Sequence, residues 1–368
     1  MKKQIYLLIR YWSPTRDEVC CRYYKSLFFS HADGKTVASK MFKSMQSDCL
    51  SLESLVSLGS DGPNVNKTIF RELSKCIKQE CQDWNGLVNI DTCNLHSMHN
   101  AFSKGIEQYG QETEDLAIAL FGLFKISSGR REDYREIQVE LDLPEEVFVK
   151  HSQVRWLSIG PSLKKIVEQR EGIKTYVTQL EKDSRKMPKS VNFKLIRDAV
   201  NNPDMKVKLQ FLLSVIPLFE QFLQDFQTDQ PMIHVLYSRM KDLLFTILRR
   251  FVKGDIVNSM APEDLKSADL GISNQLSDED IVMGAARQEL SGLKNESHKH
   301  REILGVRSFY LAVAKYMIRR LPLDNKVLKA VTCLSPVRRF DESSVSDVEV
   351  LARELYCDEE TVVHLVDE

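Results

Sequence analysis

The chain has 368 residues, which exceeds one typical domain and is long enough to bury a sizeable hydrophobic core. Its hydrophobic content of 43% excludes wholesale disorder, and its 51 basic residues against 52 acidic ones exclude a strongly basic nucleic-acid binder. Any contact with nucleic acid must therefore come from a local patch.

The cysteine content and the apolar runs indicate a reducing compartment. Eight cysteines without a Cys-x-x-Cys pair are too few for a disulfide scaffold in a chain of this length. The apolar run from Ile5 to Ile9 is too short for a secretion signal and ends at Arg10, so it predicts a strand. No run of about 18 apolar residues occurs, so no membrane span is expected. A nuclear or cytoplasmic protein follows.

The first hundred residues have the pattern of an α/β fold. Two runs rich in β-branched and aromatic residues, 4–11 and 19–29, flank a Ser-Pro-Thr turn and predict a β-hairpin. The elements predicted after the hairpin are a helix over about 36–47, a strand near 55–58, a helix through Ile69, Leu73 and Ile77, and a strand over 87–90. Strands that alternate with helices predict a sheet with parallel members.

From about residue 114 onward the apolar residues keep helical spacing. The clearest stripe, from Ile233 to Phe251, is broad enough to face a core rather than a coiled-coil seam. Pro217 is expected to kink the helix that contains it. Four segments are predicted: a partial α/β core over 1–160, a helical region over 161–252, a polar and partly disordered linker over 253–305, and C-terminal helices over 306–368.

Three short strings occur in an informative order: Ser60-Asp61-Gly62-Pro63-Asn64-Val65-Asn66, then Cys93-Asn94-Leu95-His96, then Val154-Arg155-Trp156-Leu157-Ser158. They are similar to the Asp-Gly-Ala-Asn-Met, Cys-x-x-His and Thr-Arg-Trp-Leu-Ser strings of the hAT superfamily of DNA transposases and its domesticated descendants. The chain resembles this family well over residues 4–252 and loosely beyond. The resemblance implies a fold of the α/β plus all-α class: a partial, mixed RNase H-like sheet whose first strand is absent, followed by a long helical insertion.

The resemblance also implies a catalytic set of two Asp and one Glu, of which only Asp61 has a counterpart in this chain. Two divalent cations need several converging carboxylates to bracket the attacking and leaving oxygens of a phosphodiester. The strand with the family's first Asp would precede this chain. The third carboxylate has no motif to choose among Glu289, Glu296, Glu342, Glu349 and Glu354. We therefore expect a catalytically inactive protein without a cofactor, in which Asp61 is vestigial; Mg²⁺ or Mn²⁺ would enter only if it were active.

The residues of the first two strings have simpler interpretations as well. Asp61 fills an Asp-Gly turn and could cap the helix that follows. Cys93 and His96, with His99 one turn further on, supply too few ligands for a tetrahedral zinc site, since no second Cys/His pair stands at a suitable distance. The preferred hypothesis is that Cys93 and His96 orient the start of a helix beside Asp61, and no metal site is predicted.

Arg155 and Trp156 are the candidates for contact with DNA. The family uses this Trp near the DNA, where its ring can stack on an unpaired base, and the neighbouring Arg could contact a phosphate. The alternative is that Trp156 belongs to the core, together with Leu157 and Ile159.

The sequence thus favours a domesticated, inactive hAT-type transposase fragment that acts through binding to DNA or protein. The alternatives are a metal-dependent nuclease or transposase, with the missing carboxylates supplied elsewhere, and a purely helical scaffold for protein interactions. The family's C-terminal dimerisation segment would lie beyond the end of this chain. Because the absent first strand is central in an RNase H-like sheet, the chain is expected to be marginally stable unless another segment fills the gap.

Overall fold

The structure, a computed structural model, describes residues 3–62, 64–90, 93–151, 159–182, 187–338, 340–355 and 358–367. It is mostly helical, with one small antiparallel sheet of two strands among the described residues. In the part of the chain that the structure describes, every helix is too short or too polar to cross a lipid bilayer. The chain divides into two compact units: unit 1 comprises residues 1–97, 225–242 and 320–368, and unit 2 comprises residues 98–224 and 243–319.

The regular elements follow one another along the chain as two strands and then a series of helices. The strands are β1 (Lys3–Ser13) and β2 (Glu18–Phe29). The helices are α1 (Gly34–Ser47), α2 (Asn64–Glu80), α3 (Asn94–Gln108), α4 (Gln111–Lys125), α5 (Ser128–Glu140), α6 (Ile159–Glu168), α7 (Arg170–Lys182), α8 (Val191–Asn201), α9 (Met205–Phe226), α10 (Ile233–Leu248), α11 (Gly254–Ser259), α12 (Ala286–Ser291), α13 (Glu296–Arg320), α14 (Lys326–Ala330), α15 (Ser343–Glu354) and α16 (Glu359–Asp367).

Strands β1 and β2 form the predicted hairpin, which is confirmed. The Asp17 N–H donates to the Ser13 carbonyl at 2.9 Å and closes the turn. Asp17 has a φ of 54°, in the left-handed region that aspartate tolerates better than most residues. The register runs from Ser13 opposite Glu18 to Lys3 opposite Phe29, with one irregularity after Leu7.

The core of unit 1 lies between the hairpin and helices α1 and α2. Leu27 and Phe29 of β2 are buried against Val37 and Met41 of α1 and against Leu73 of α2. Helix α1 begins where the Asp33 side chain accepts the backbone N–H groups of Lys35 and Thr36, which have no partner within the helix. The three- and four-residue spacing that predicted α1 and α2 thus buries the faces that it indicated.

The segments predicted as strands, 55–58 and 87–90, are not assigned as strands. They nevertheless run side by side: the Val88 N–H donates to the Val56 carbonyl at 2.8 Å. The side chain of Leu87 belongs to the core around α1 and α2, whereas Val88 and Ile90 belong to a second core formed with residues of α14 and α15. Side chains that alternate between two cores are typical of an extended chain with helices on both faces. Among the described residues the sheet is therefore the two-stranded antiparallel hairpin and not the predicted mixed sheet, because these segments make too few ladder bonds.

Unit 2 is helical in its described residues and has an aromatic core. Phe102, Phe211, Phe219 and Phe309 are fully buried, and the rings of Phe211 and Phe309 meet edge to face with centroids 5.1 Å apart. Such pairs contribute about 0.5–1.5 kcal/mol beyond the area that they bury. Pro217 lies inside α9, which is one helix from Met205 to Phe226.

The segment 253–305 differs from the predicted linker. It contains α11, α12, two short 3₁₀ helices and the start of α13. Val257, Ile281 and Met283 are buried, and the Val282 N–H donates to the Arg250 carbonyl at 2.9 Å. The buried apolar residues of this segment are scattered in the sequence without a regular period. Composition alone therefore does not reveal that the segment packs in the core. The predicted boundaries at 160/161 and 252/253 both fall inside unit 2.

Candidate functional site

The two extended segments of unit 1 end at a shared edge. The Val88 N–H bonds to the Val56 carbonyl, and further on the Cys93 N–H bonds to the Ser60 carbonyl at 3.0 Å. Both bonds advance in the same direction along the two segments, so the segments are parallel. Parallel segments leave a sheet at the same edge, which is where ligands commonly bind in open α/β sheets. Asp61 and Cys93 are therefore carried to the same edge of unit 1.

A cleft of about 430 Å³ lies at this edge. It brings together Asp61 of the first string with Cys93 and His96 of the second. The other lining residues are Gly59, Ser60, Ile90, Asn94, Leu95, Phe226 and Leu236. Phe226, at the end of α9, and Leu236, in α10, supply apolar wall. We call this the Asp61 cleft.

No protein-family model, curated protein or solved structure matches this chain.

The Asp61 side chain is tied to the first turn of the next helix. Its Oδ1 accepts a hydrogen bond from Nδ2 of Asn66 in α2, and the same Nδ2 lies 3.2 Å from the Asp61 carbonyl oxygen. The hydroxyl of Ser60 donates to this carbonyl as well, at 3.3 Å. Asp61 is an exposed residue, so its carboxylate still faces solvent at the cleft. This geometry agrees with a role for Asp61 in fixing the start of α2.

Cys93 and His96 mark the start of α3. The Cys93 carbonyl accepts the Ser97 N–H at 3.3 Å, so Cys93 precedes the first residue of the helix. Cys93 is half-buried, and His96 in the first turn is exposed. His99 follows within α3 and is half-buried. The second string therefore carries a helix start to the Asp61 cleft.

The ligand set at this edge is small. Among the described residues, no three or more His, Cys, Asp and Glu side chains group together as ligands for a metal ion. None of the five glutamates considered as the third carboxylate lines the Asp61 cleft; Glu349, for example, pairs with Arg353 at 3.1 Å. A single carboxylate held by Asn66 gives a hard divalent cation few oxygen ligands. Arg155 and Trp156, the predicted DNA contacts, lie outside the described residues.

A buried ionic cluster in unit 2 has no counterpart in the sequence-based predictions. Asp204 is almost fully buried; its carboxylate lies 3.0 Å from Nδ1 of His298 and also bonds to Arg301. Next to it, the hydroxyl of Tyr109 donates to the Glu302 carboxylate at 2.6 Å. Burial raises the pKa of Glu302 above its usual range, although the Tyr109 hydrogen bond opposes this shift. Burial and the nearby carboxylate also hold the pKa of Tyr109 well above its usual range.

This cluster fastens α13 to the residues just before α9. Asp204 precedes α9, whereas His298, Arg301 and Glu302 belong to α13. A buried carboxylate left without partners would be unfavourable, so all members must be present for the cluster to stabilise the fold. The signal in the sequence is faint, because the partners stand more than ninety positions apart.

Proposed function

We propose that the chain is a domesticated, catalytically inactive hAT-type transposase fragment that acts by binding nucleic acid. The starting point is the resemblance of the sequence to this family. The observation that carries the proposal is the convergence of Asp61, Cys93 and His96 on one cleft. The first two motif strings lie in separate stretches of the chain, so local structure alone does not bring them together. A nuclear or cytoplasmic location is part of the same proposal.

We infer further that unit 1 is a partial RNase H-like core and unit 2 its helical insertion. The hairpin, a helix, and two parallel segments with a helix between them follow each other in unit 1. Unit 1 is itself discontinuous, since unit 2 is drawn from stretches of chain that interrupt it. The resemblance implies this arrangement, in which a helical insertion divides the sequence of the α/β core.

Binding rather than cleavage follows from the ligand count at the Asp61 cleft. Phosphodiester cleavage by two cations needs carboxylates from several places, and removal of one member of a catalytic set reduces the rate by orders of magnitude. Asp61 alone, engaged with Asn66, leaves that set incomplete among the described residues. Electrostatic contact with phosphates needs no such set.

The test is a gel shift of the whole chain with labelled duplex and single-stranded DNA over a series of salt concentrations. Binding through phosphates is expected to weaken steeply with salt, because each contact releases counterions. Arg155→Ala is expected to lower the salt slope by about one contact. Arg131→Ala, at an exposed arginine of α5, is the matched control and is expected to bind like the wild type. Salt-independent binding, no binding, or equal slopes for the two variants would contradict the proposal.

A further inference from the structure

The outer side of the β1–β2 hairpin is an exposed aromatic surface. Successive side chains of a strand point to opposite sides, so alternate residues share this face. In cross-strand pairs its members are Gln4 with Phe28, Tyr6 with Ser26, Leu8 with Tyr23, Arg10 with Cys21 and Trp12 with Val19. We call this set the outer hairpin face. Its rings remain open to solvent: Tyr6 is 66% exposed, Tyr23 61% and Trp12 56%.

Packing among the residues that the structure describes does not account for these aromatic side chains. The inner face of the same hairpin, with Leu27 and Phe29, fills the core against α1 and α2. The outer face buries none of its rings to that extent; Phe28, next to both core residues in sequence, is 50% exposed. A contiguous exposed apolar surface of this kind marks a binding site more often than a chance distribution of residues.

The polar groups of the outer hairpin face hold it in a defined shape. The hydroxyl of Tyr23 donates to Oγ of Ser26 at 2.8 Å, and the side-chain amide of Gln4 donates to the same oxygen at 3.1 Å. Nη2 of Arg10 donates to the carbonyl oxygen of Asp229, also in unit 1, at 2.9 Å. The Tyr23 ring and the Arg10 guanidinium are therefore positioned before any ligand arrives, which reduces the entropy lost on binding.

The charges of the hairpin favour an anionic ligand. Its two carboxylates, Asp17 and Glu18, stand at the turn, and Arg16 lies 3.6 Å from Glu18. Lys25 is paired with Asp48 at 2.6 Å. Of the remaining cations, Arg10 lies on the outer hairpin face, whereas Lys3 and Arg22 belong to cross-strand pairs of the opposite face. None of these three has a carboxylate within ion-pair distance among the side chains that the structure describes. The Arg10 guanidinium beside the exposed rings of this face matches an anionic ligand that carries flat apolar groups.

We propose that the outer hairpin face binds single-stranded nucleic acid, with bases stacked on Tyr6, Trp12 and Tyr23 and a phosphate at Arg10. A duplex keeps its base faces stacked on each other, whereas an unpaired strand presents them to aromatic side chains. Tyr6 and Trp12 stand six residues apart on one face of β1, about 20 Å along the strand, and Tyr23 lies between them opposite Leu8. An unstacked strand fits this spacing. The proposal does not depend on the Asp61 cleft.

The experiment measures the fluorescence anisotropy of a labelled oligothymidylate, and of a duplex of equal length, with the whole chain. Trp12→Ala and Tyr23→Ala are each expected to weaken binding of the single strand about tenfold, because stacking contributes about 1–3 kcal/mol per base. Trp12→Phe keeps a ring and is expected to retain most of the affinity. Phe340→Ala is the matched control, since Phe340 belongs to unit 1 and is 90% exposed.

Several outcomes would overturn the proposal. Equal affinity of the wild type and both alanine variants for the single strand is one, and duplex binding as tight as single-strand binding is another. Arg10→Ala, which removes no ring, is expected to lower the salt slope by about one contact, and an unchanged slope counts against the phosphate position. Sedimentation velocity supplies the third readout: a dimer that Trp12→Ala disperses, without oligonucleotide binding, would assign the face to a second copy of the chain instead.

Discussion

The amide N–H of Cys93 donates a hydrogen bond to the carbonyl oxygen of Ser60 at 3.0 Å. This backbone contact places the start of α3 beside the turn that contains Asp61. Since neither partner uses its side chain, the contact depends on the course of the two extended segments rather than on residue type. The meeting of the two motif strings is thus a property of the fold of unit 1.

Asp61 and Asn66 are expected to stabilise the fold as a pair. Asp61→Ala and Asn66→Ala should each lower the free energy of unfolding by about 1 kcal/mol, the usual contribution of one hydrogen bond or helix cap. The double variant should lose little more than Asn66→Ala alone, because that substitution already removes the side-chain hydrogen bond that Asp61→Ala removes. Urea unfolding followed by circular dichroism measures these values, with Lys67→Ala, at an exposed position of α2, as the control. Fully additive losses would show that the two side chains do not act on each other.

Glu302 is expected to make unit 2 sensitive to pH. Because burial raises its pKa in the folded state, folding favours the protonated carboxyl. The resulting stability is complete below the usual pKa of a glutamate and is lost as the pH rises through the raised folded value. Glu302→Gln removes this titration. The melting temperature of the variant should therefore fall less than that of the wild type when the pH rises from about 5 to about 8.

The control for this pH experiment lies on the same helix. Glu296 is exposed at the start of α13, where it pairs with Lys299. Glu296→Gln should retain the pH dependence of the wild type, because an exposed pair adds little stability. If Glu302→Gln and the wild type lose stability in parallel as the pH rises, another group carries the effect.

Gly105 allows α3 to approach Phe309 of α13 within unit 2. A Cβ at Gly105 would lie 2.6 Å from Cε2 of Phe309, which is itself fully buried and has little room to move. Gly105→Ala is therefore expected to destabilise the protein by about 1–3 kcal/mol through overpacking. Gly254→Ala is the matched control, since a Cβ there meets open space. The midpoints of thermal unfolding of the two variants are compared. Equal midpoints would mean that the packing between α3 and α13 adjusts to the added methyl group with no loss of stability.

The parts of the fold that depend on neighbouring residues could be predicted from the sequence. The hairpin and helices α1 and α2 follow from alternating or helical spacing that is visible within a dozen residues. The segments 55–58 and 87–90 have the composition of strands, but a sheet ladder needs partners from elsewhere in the chain, and only isolated backbone bonds join them. The two segments run parallel, as the sequence predicts, but they do not form the strands that it predicts.

The candidate site could be predicted only in part, for the same reason. Asp61, Cys93 and His96 carry motif-like spacing and can be named from the sequence. Phe226 and Leu236 complete the Asp61 cleft, yet in the sequence they are ordinary members of helical apolar stripes. The aromatic residues of β1 and β2 also predict strands without indicating which face stays exposed. Tertiary packing decides which of these residues line a cleft and which remain exposed, and local sequence patterns do not contain this information.

The most direct test of the account is a cleavage assay of the purified whole chain with labelled DNA and Mg²⁺ or Mn²⁺. The wild type and Asp61→Asn are both expected to leave the DNA intact, since Asp61 is the only carboxylate among the described residues that lines the cleft and a two-cation site needs several. Cleavage products that form with the wild type and disappear with Asp61→Asn would contradict the account and identify an active nuclease.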